Sequence, residues 1–122
     1  MKEAVIVADD SAIIRNIVSK ALNDKYIVLQ ASNGKETIKL VIQNKEYKIK
    51  CLLLDLKMPE YDGFMVLDYF KQNNLFNKIP VAIISGDDSK QTIEKAFTYN
   101  IVDMLNKPFS KENILNVVLK CR

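Results

Sequence analysis

Five short apolar runs, separated by stretches of helical periodicity, constrain the fold of this 122-residue chain more than any other feature. Three of the runs, at residues 4–8, 51–54 and 81–84, are continuously apolar. Continuous runs are typical of central strands of a parallel sheet, because such strands are covered on both faces. The runs at residues 26–30 and 102–105 mix polar and apolar side chains, as strands at or near a sheet edge do. The pattern therefore predicts three central strands and two outer ones.

The segments that follow the five runs repeat apolar side chains at the spacing of an α-helix. Ser11 and Ser110 are candidate N-caps of the first and last helices. Strands that alternate with helices form right-handed βαβ crossovers and a parallel sheet. We therefore predict an α/β, doubly wound (βα)5 fold with a five-stranded parallel sheet in the common strand order 2-1-3-4-5. The first helix is marked by the apolar repeat Ile13, Ile14, Ile17, Val18, Ala21 and Leu22, and the fourth by Ile93, Ala96 and Phe97.

Length and composition indicate one ordinary globular domain. A chain of 122 residues fits a single domain, residues 1–122, and its 48% hydrophobic content can fill a core. The apolar run near the N-terminus is too short for a signal peptide or a membrane span, so we expect a soluble, cytoplasmic protein. The net charge of +3 comes from scattered lysines without an arginine-rich block, so direct nucleic-acid binding is not expected.

The cysteine and histidine content limits which metal sites and catalytic groups the chain can form. The chain has no histidine, and Cys51 and Cys121 are far apart and form no CxxC pair. A zinc site and histidine-based catalysis are therefore excluded. Reduced, structural thiols are the expected state of both cysteines in a cytoplasmic protein.

Polar side chains follow four of the five apolar runs. Asp9 and Asp10 follow the first run and Asp55 follows the third, while Ser85 follows the fourth and Lys107 comes shortly after the fifth. Ligands of doubly wound sheets bind outside the carboxyl ends of the strands, at the point where the strand order reverses. With strand 1 beside strand 3, we expect the three aspartates to meet at one rim, with the serine and the lysine on the far side.

Such a cluster predicts phosphoryl chemistry. Three neighbouring carboxylates repel one another, and a hard cation with oxygen ligands, Mg²⁺ rather than Ca²⁺, relieves the repulsion. A carboxylate is a competent nucleophile for an aspartyl phosphate, and Asp55 is placed to be that nucleophile. Lys107 could pair with a phosphoryl oxygen and the Ser85 hydroxyl could donate to another, since phosphoryl transfer needs mainly positioning and charge neutralisation.

Each of these motifs also has an ordinary structural explanation. The pair Asp9-Asp10 could stabilise a helix N-terminus through the helix dipole. Asp55 could simply end a strand, Ser85-Gly86 could be a turn, and Lys107 could be a solvated loop lysine. Their joint arrival at one rim of the predicted sheet is what favours a functional site.

Together these motifs resemble the receiver domain of two-component response regulators, over essentially the whole chain. The implied architecture is the flavodoxin-like fold of chemotaxis regulators. The matching segments are Asp9-Asp10-Ser11, residues 54–59 with Asp62-Gly63, Ser85-Gly86, and Lys107-Pro108-Phe109.

The resemblance implies a role for each matching residue. Asp55 is the expected phosphoacceptor and a ligand of Mg²⁺ or Mn²⁺. Asp10 is the expected direct ligand, Asp9 binds directly or through water, and Lys57 contributes its backbone carbonyl. Ser85 occupies the switch position, and Lys107 is the lysine typical of the family, with a cis peptide bond expected between it and Pro108.

The resemblance also implies partners and limits. The expected phosphoryl donor is a sensor histidine kinase or a phosphotransfer protein. An output domain or partner would bind the face formed by the fourth helix, the fifth strand and the fifth helix, and neither nucleic acid nor membrane is expected as a direct partner. The chain is expected not to be an enzyme beyond self-phosphorylation and autodephosphorylation.

One position in the fifth strand departs from the family pattern. Met104 stands three residues before Lys107, where receivers usually carry Tyr or Phe as the partner of the switch. A methionine can fill the same pocket, but it has no ring to rotate.

Lys57 and Asp87 flank the mouth of the expected site, and we predict that they pair there and slow attack by water.

Three other functions are less compatible with the sequence. Phosphatases of the haloacid-dehalogenase type need a second aspartate two residues after the nucleophile, where this chain has Lys57. A phosphorylation-independent interaction module would usually have lost part of the acidic cluster. Flavin binding on a similar fold needs a Ser/Thr-rich phosphate loop, and Asp9-Asp10 would repel the phosphate.

Overall fold

A computed structural model describes residues 1–121, so Arg122 of the predicted domain lies outside the described residues. Strands and helices alternate along the chain as predicted. The strands are β1 (Lys2–Ala8), β2 (Ile27–Ala31), β3 (Tyr47–Asp55), β4 (Val81–Ser85) and β5 (Asp103–Asn106). The helices are α1 (Ala12–Leu22), α2 (Gly34–Gln43), α3 (Gly63–Gln72), α4 (Lys90–Ala96) and α5 (Lys111–Lys120).

The strands form one parallel sheet in the order β2-β1-β3-β4-β5, which confirms the predicted fold and strand order. The three continuously apolar runs are the central strands, and the two mixed runs are the edges. Because β1 lies between β2 and β3, the residues after β1 sit beside the carboxyl end of β3. Ala8 is paired with Leu54 in this register.

The prediction was wrong about where β3 begins. The apolar run starts at Cys51, but the strand starts at Tyr47 and includes Lys48 and Lys50. Lys48 is exposed and Lys50 half-buried, while Ile49 between them is buried. This alternation is that of a strand with one solvated face, so the first residues of β3 lack the continuous apolar signal.

Two apolar layers cover the sheet, one on each face. Because side chains alternate along a strand, Ile6 of β1 points into the layer beneath α2 and α3, while Val5 and Val7 point into the layer beneath α1 and α5. In β3, Leu52 and Leu54 enter the first layer and share it with Phe70 of α3. Burial on both faces explains why the central strands are continuously apolar.

Side-chain caps begin the helices at the predicted positions. The Ser11 hydroxyl accepts from the Ile14 N–H, and Ser110 forms a capping box with Asn113. The apolar repeats, however, overstate burial: Ile13, Ile17 and Phe97 are 73%, 43% and 52% exposed. The fully buried side chains of α1 lie in its C-terminal half, while Ile14 of the first turn packs against the same layer but is only partly buried. Within residues 1–121, no helix is long and apolar enough to cross a membrane.

Candidate functional site

Asp9, Asp10 and Asp55 meet at the carboxyl edge of the sheet, where β1 and β3 end. Each offers a carboxylate oxygen, and these oxygens all lie within 4.8 Å of one another. Asp9 is fully buried and Asp55 is 4% exposed, whereas Asp10 faces solvent. The structure thus brings together the three aspartates that the sequence singled out.

Hydrogen bonds from β2 and from the start of α1 hold Asp9. Its N–H donates to the Ala31 carbonyl at 3.0 Å, and its Oδ1 accepts from the Ser11 N–H at 2.9 Å. The Arg15 guanidinium donates to the Asp9 carbonyl at 2.7 Å and to the Gln30 side chain at 3.1 Å. Sequence reasoning missed Arg15, because nothing in the local pattern of α1 distinguishes it from a solvated arginine.

The backbone after Asp55 folds tightly back on itself. The Gly63 N–H donates to the Leu56 carbonyl at 3.0 Å. A Cβ on Gly63 would lie 2.4 Å from the Asp55 carbonyl oxygen, so only glycine allows this approach. The Lys57 N–H lies 3.4 Å from Asp55 Oδ1. The start of α3 therefore positions the end of β3.

Lys107 reaches the acidic cluster from the end of β5. Its Nζ lies 2.7 Å from Asp9 Oδ2 and 3.4 Å from Asp55 Oδ2. Its N–H donates to the Ser85 carbonyl at 2.8 Å, and the Lys107–Pro108 peptide bond is cis, as predicted. Burial lowers the pKa of Lys107, but the contacts with the two carboxylates outweigh burial and raise it overall.

The pKa of Asp55 is raised to about 6. Burial is the largest cause and the Asp9 carboxylate is the next, while Lys107 acts in the opposite direction. A buried carboxylate beside a second carboxylate is poorly stabilised in its charged form unless cations surround it. Additional positive charge at this site would therefore stabilise the ionised form of Asp55.

The chemistry of the donor set fits a divalent cation. Carboxylate oxygens are the ligands that Mg²⁺ prefers, and Mg²⁺ accepts a few protein ligands with several waters. Asp9 Oδ2 is buried and has no hydrogen bond among the described residues, although the ammonium of Lys107 lies beside it. A role for the Lys57 backbone carbonyl as a ligand stays a prediction.

The Ser85 side chain is buried at the end of β4, on the far side of the cluster. Its hydroxyl donates to the Asp87 carbonyl at 3.2 Å and accepts from the Asp87 N–H at 3.0 Å. The Ser85 hydroxyl is thus hydrogen-bonded to its own loop in this structure. Donation to a phosphoryl oxygen, as the sequence predicts, would require the bond to the Asp87 carbonyl to break.

Asp87 organises the loop between β4 and α4. Its carboxylate accepts from the Ser89 N–H at 2.9 Å and from the Thr92 hydroxyl at 2.8 Å, and these hydrogen bonds lower its pKa. Asp87 Oδ2 also lies 3.9 Å from Lys57 Nζ. The predicted pair across the site entrance is therefore present, and the contacts with Ser89 and Thr92 are additions that the sequence did not indicate.

Met104 lies in β5, where receivers usually have an aromatic residue. It is half-buried and packs against the apolar layer that includes Ile83 of the neighbouring strand. Tyr99 precedes it and donates a hydrogen bond to Asp68 of α3, with its ring 6.3 Å from that of Phe64. Met104 thus occupies apolar space as predicted, and the Tyr99–Phe64 ring contact does not involve it.

The fold and site are those of a signalling domain that accepts phosphate. The family model of the response regulator receiver domain matches residues 5–119, and the chain belongs to this family. Receiver domains belong to two-component systems, where a kinase phosphorylates them on aspartate, and they generally bind Mg²⁺ at an acidic pocket. They interact with histidine kinases and output domains.

Similar proteins agree with this assignment. The chain is 30% identical over 106 residues to a Vibrio cholerae protein named a probable cyclic di-GMP phosphodiesterase, and covers 23% of it. It is 26% identical over 116 residues to the transcriptional regulatory protein SrrA of Staphylococcus aureus, and covers 46% of it. These matches include 87% and 94% of this chain, which spans less than half the length of either relative.

Solved structures show the same fold. The chemotaxis protein CheY4 of Vibrio cholerae superposes with a TM-score of 0.85 at 24% identity, covering 100% of both chains. The receiver domain of the Francisella response regulator 1452 has a TM-score of 0.82 at 30% identity, covering 96% of this chain and 94% of that one. The fold predicted from the apolar runs is therefore that of chemotaxis-regulator-like receivers.

The raised pKa of Asp55 predicts how stability depends on pH without metal. Because the folded pKa of about 6 exceeds the ordinary value of 3.8, the folded chain binds more protons than the unfolded chain between these values. Stability should therefore fall as pH rises through this window and stay lower above it. Asp55→Asn removes the charge, so at about pH 7.5 it should raise the free energy of unfolding by about 1–3 kcal/mol.

Urea unfolding in EDTA, at about pH 5 and about pH 7.5, measures this effect. The exposed Asp88 supplies the matched control, since Asp88→Asn also removes one carboxylate near the rim. Equal stabilisation by the two variants at the higher pH would contradict an effect specific to Asp55.

Proposed function

We propose that Asp55 is the phosphoacceptor of this receiver and that it takes the phosphoryl group from the phosphohistidine of a sensor histidine kinase or a phosphotransfer protein. The observation that carries the proposal is the position of the Asp55 carboxylate. It ends a central strand, sits among two other carboxylates, and has the Lys107 ammonium at 3.4 Å. Incubation with acetyl phosphate and Mg²⁺, read by intact mass, tests it: one phosphoryl group per chain supports it.

In the reaction, an Asp55 carboxylate oxygen forms a bond to phosphorus as the bond from phosphorus to the imidazole nitrogen breaks. The electron pair of that bond leaves with the imidazole, and because the attacking carboxylate is already ionised, this chain needs no general base. Lys107 already contacts Asp9 and Asp55, and its ammonium can neutralise charge that develops on a phosphoryl oxygen.

The same aspartates would hold the cation. Asp10 and Asp55 would bind Mg²⁺ or Mn²⁺ directly, Asp9 directly or through water, and Lys57 through its backbone carbonyl. The bound cation supplies charge neutralisation for the phosphoryl oxygens. Asp9 is buried and held in place, whereas Asp10 is exposed and can reach an incoming cation.

Signal output would follow from a change at Ser85. Its hydroxyl is engaged by the Asp87 backbone, and Asp87 in turn bonds to Ser89, the N-cap of α4, and to Thr92 in its first turn. A hydroxyl that turned toward a phosphoryl group would give up its bond to the Asp87 carbonyl and so disturb the loop that leads into α4. A partner or an output domain on the face formed by α4, β5 and α5 would detect this change.

We further propose that residues 1–122 form one receiver domain that acts in the cytoplasm, catalysing only its own phosphorylation and dephosphorylation. Family membership supports this proposal, as does the single sheet with both faces covered. This chain matches only 23% of the probable cyclic di-GMP phosphodiesterase, so most of that protein has no counterpart here.

Lys57→Ala should shorten the lifetime of the phosphorylated protein by about 2- to 5-fold, the effect expected of an exposed ion pair. Lys57 and Asp87 lie 3.9 Å apart at the mouth of the site, and removing the lysine opens a path for water to Asp55. Loss of the phosphoryl group over time, followed by intact mass after the donor is removed, measures the lifetime.

Lys90→Ala is the matched control, because Lys90 forms a similarly exposed pair with Glu94 within α4. An unchanged lifetime of the phosphorylated Lys57→Ala variant would contradict the prediction that the pair shields the site from water. A shortened lifetime in both variants would contradict it equally, since the effect would then be one of general charge.

A further inference from the structure

Two cysteines that are 70 positions apart meet in the apolar layer beneath α1 and α5. Cys51 lies in the middle of β3, and Cys121 directly follows the last residue of α5. Their sulfur atoms are 2.9 Å apart, and both residues are fully buried as free thiols. The sequence predicts reduced structural thiols at these positions, but it does not predict that the two are in contact.

We propose that Cys51 and Cys121 form a redox-responsive pair, which a peroxide oxidises to a disulfide that links β3 to the end of α5. The proposal rests on the direct contact of two thiols from distant parts of the chain. It does not rest on phosphorylation of Asp55, which lies at the carboxyl end of β3.

The two thiols have unequal roles. The contact with Cys51 lowers the pKa of the Cys121 thiol, and the positive charge of Lys50 also lowers it. The contact with Cys121, together with burial, raises the pKa of Cys51 well above its ordinary value. Cys121 is the residue that reacts first, because it lies just past the end of α5, whereas Cys51 lies inside a central strand.

The oxidation balances in two steps. The Cys121 thiolate attacks one oxygen of hydrogen peroxide, the O–O bond breaks, and Cys121 sulfenic acid and hydroxide form. Cys51 sulfur then attacks the Cys121 sulfur and expels the sulfenic oxygen, which leaves as water with the thiol proton. Overall, two thiols and one peroxide give one disulfide and two waters, so the thiols lose two electrons to the peroxide.

Access to Cys121 requires only a local opening. Cys121 lies beyond the last helical residue, Lys120, and its N–H donates to the Val118 carbonyl at 3.1 Å. Helix ends open more readily than strand interiors, so Cys121 can meet a small oxidant while Cys51 stays in the sheet.

The bond would hold the last turn of α5 in place. This turn carries Leu119, which is 65% exposed, and Lys120, whose ammonium lies 2.6 Å from Asp103 of β5. Oxidation should therefore slow amide exchange in this turn. It should also raise the Tm by roughly 10 °C, since a disulfide across 70 residues strongly restricts the unfolded chain.

The test treats the folded chain at low protein concentration with hydrogen peroxide and then counts thiols by maleimide labelling after denaturation. We expect a monomer that has lost two hydrogens and both thiols, regains them with dithiothreitol, and melts at higher temperature when oxidised. Cys51→Ser removes the resolving thiol, so its Cys121 should accumulate a sulfenic acid that dimedone traps. Cys121→Ser should keep Cys51 unmodified.

The proposal fails if both thiols remain after treatment that oxidises the chain unfolded in guanidinium. It also fails if the disulfide joins two chains, or if it forms only at the rate of global unfolding measured under the same conditions. Circular dichroism of the two serine variants establishes that each is folded before its thiol is read, and a variant that does not fold is replaced by the corresponding alanine variant.

Discussion

Asp55→Asn is expected to abolish the phosphoryl adduct that forms when the wild-type chain is incubated with acetyl phosphate and Mg²⁺. The amide has nearly the shape of the carboxylate but no anionic oxygen to attack phosphorus, so adduct formation should fall by at least about 1,000-fold. Intact mass resolves the outcome as one phosphoryl group per chain or none. This is the largest effect that the proposed function predicts.

A folding defect would not explain such a loss. Asp55→Asn relieves repulsion with Asp9, so the variant should be at least as stable as the wild-type chain without metal. Asp88→Asn, which removes an exposed carboxylate near the same rim, should keep the full adduct. An adduct of undiminished rate in Asp55→Asn would place the phosphoacceptor elsewhere. The absence of any adduct in the wild-type chain would instead favour a phosphorylation-independent interaction module.

Lys107→Met is expected to have the second largest effect, on both stability and adduct formation. The Lys107 ammonium lies between the buried carboxylates of Asp9 and Asp55, so its removal leaves two buried charges without a protein cation. Breaking a buried pair in this way costs about 3–5 kcal/mol. Urea unfolding in EDTA at about pH 7.5 should show a loss of this size.

Two further readouts separate the electrostatic effect from lost packing. Saturating Mg²⁺ should stabilise Lys107→Met more than the wild-type chain, because the cation replaces part of the missing charge. Acidification should narrow the difference between the variant and the wild-type chain, because protonated aspartates need no partner. Lys90→Met, a change at an exposed lysine, is the control and should be nearly neutral. A stability loss in Lys107→Met that neither Mg²⁺ nor acid reduces would contradict the charge explanation.

Much of the fold could be predicted from the sequence, because sheet position leaves a local signature. Strands covered on both faces are continuously apolar, so the runs at residues 4–8, 51–54 and 81–84 predict the central strands. The N-caps Ser11 and Ser110 are equally local, since their hydroxyls bond to backbone groups three residues away. The acidic cluster follows from the same reasoning, because residues after neighbouring parallel strands must share one edge.

Patterns along the chain failed where burial depends on distant partners. The apolar repeat of α1 indicated a helix, but it did not show that Ile13 and Ile17 would face solvent. The start of β3 was hidden because Lys48 and Lys50 interrupt the apolar signal where the strand is only partly covered. In both cases, the neighbouring elements decide which side chains are buried.

The sequence by itself therefore determined the order of elements, the parallel sheet and the set of side chains at its carboxyl edge. Tertiary structure alone decided that Arg15 contacts the Asp9 carbonyl and that Cys51 contacts Cys121. The physical reason is that a local sequence pattern shows only whether each side chain prefers burial or solvent. A contact between distant parts of the chain depends instead on distances that the packing of the whole domain sets.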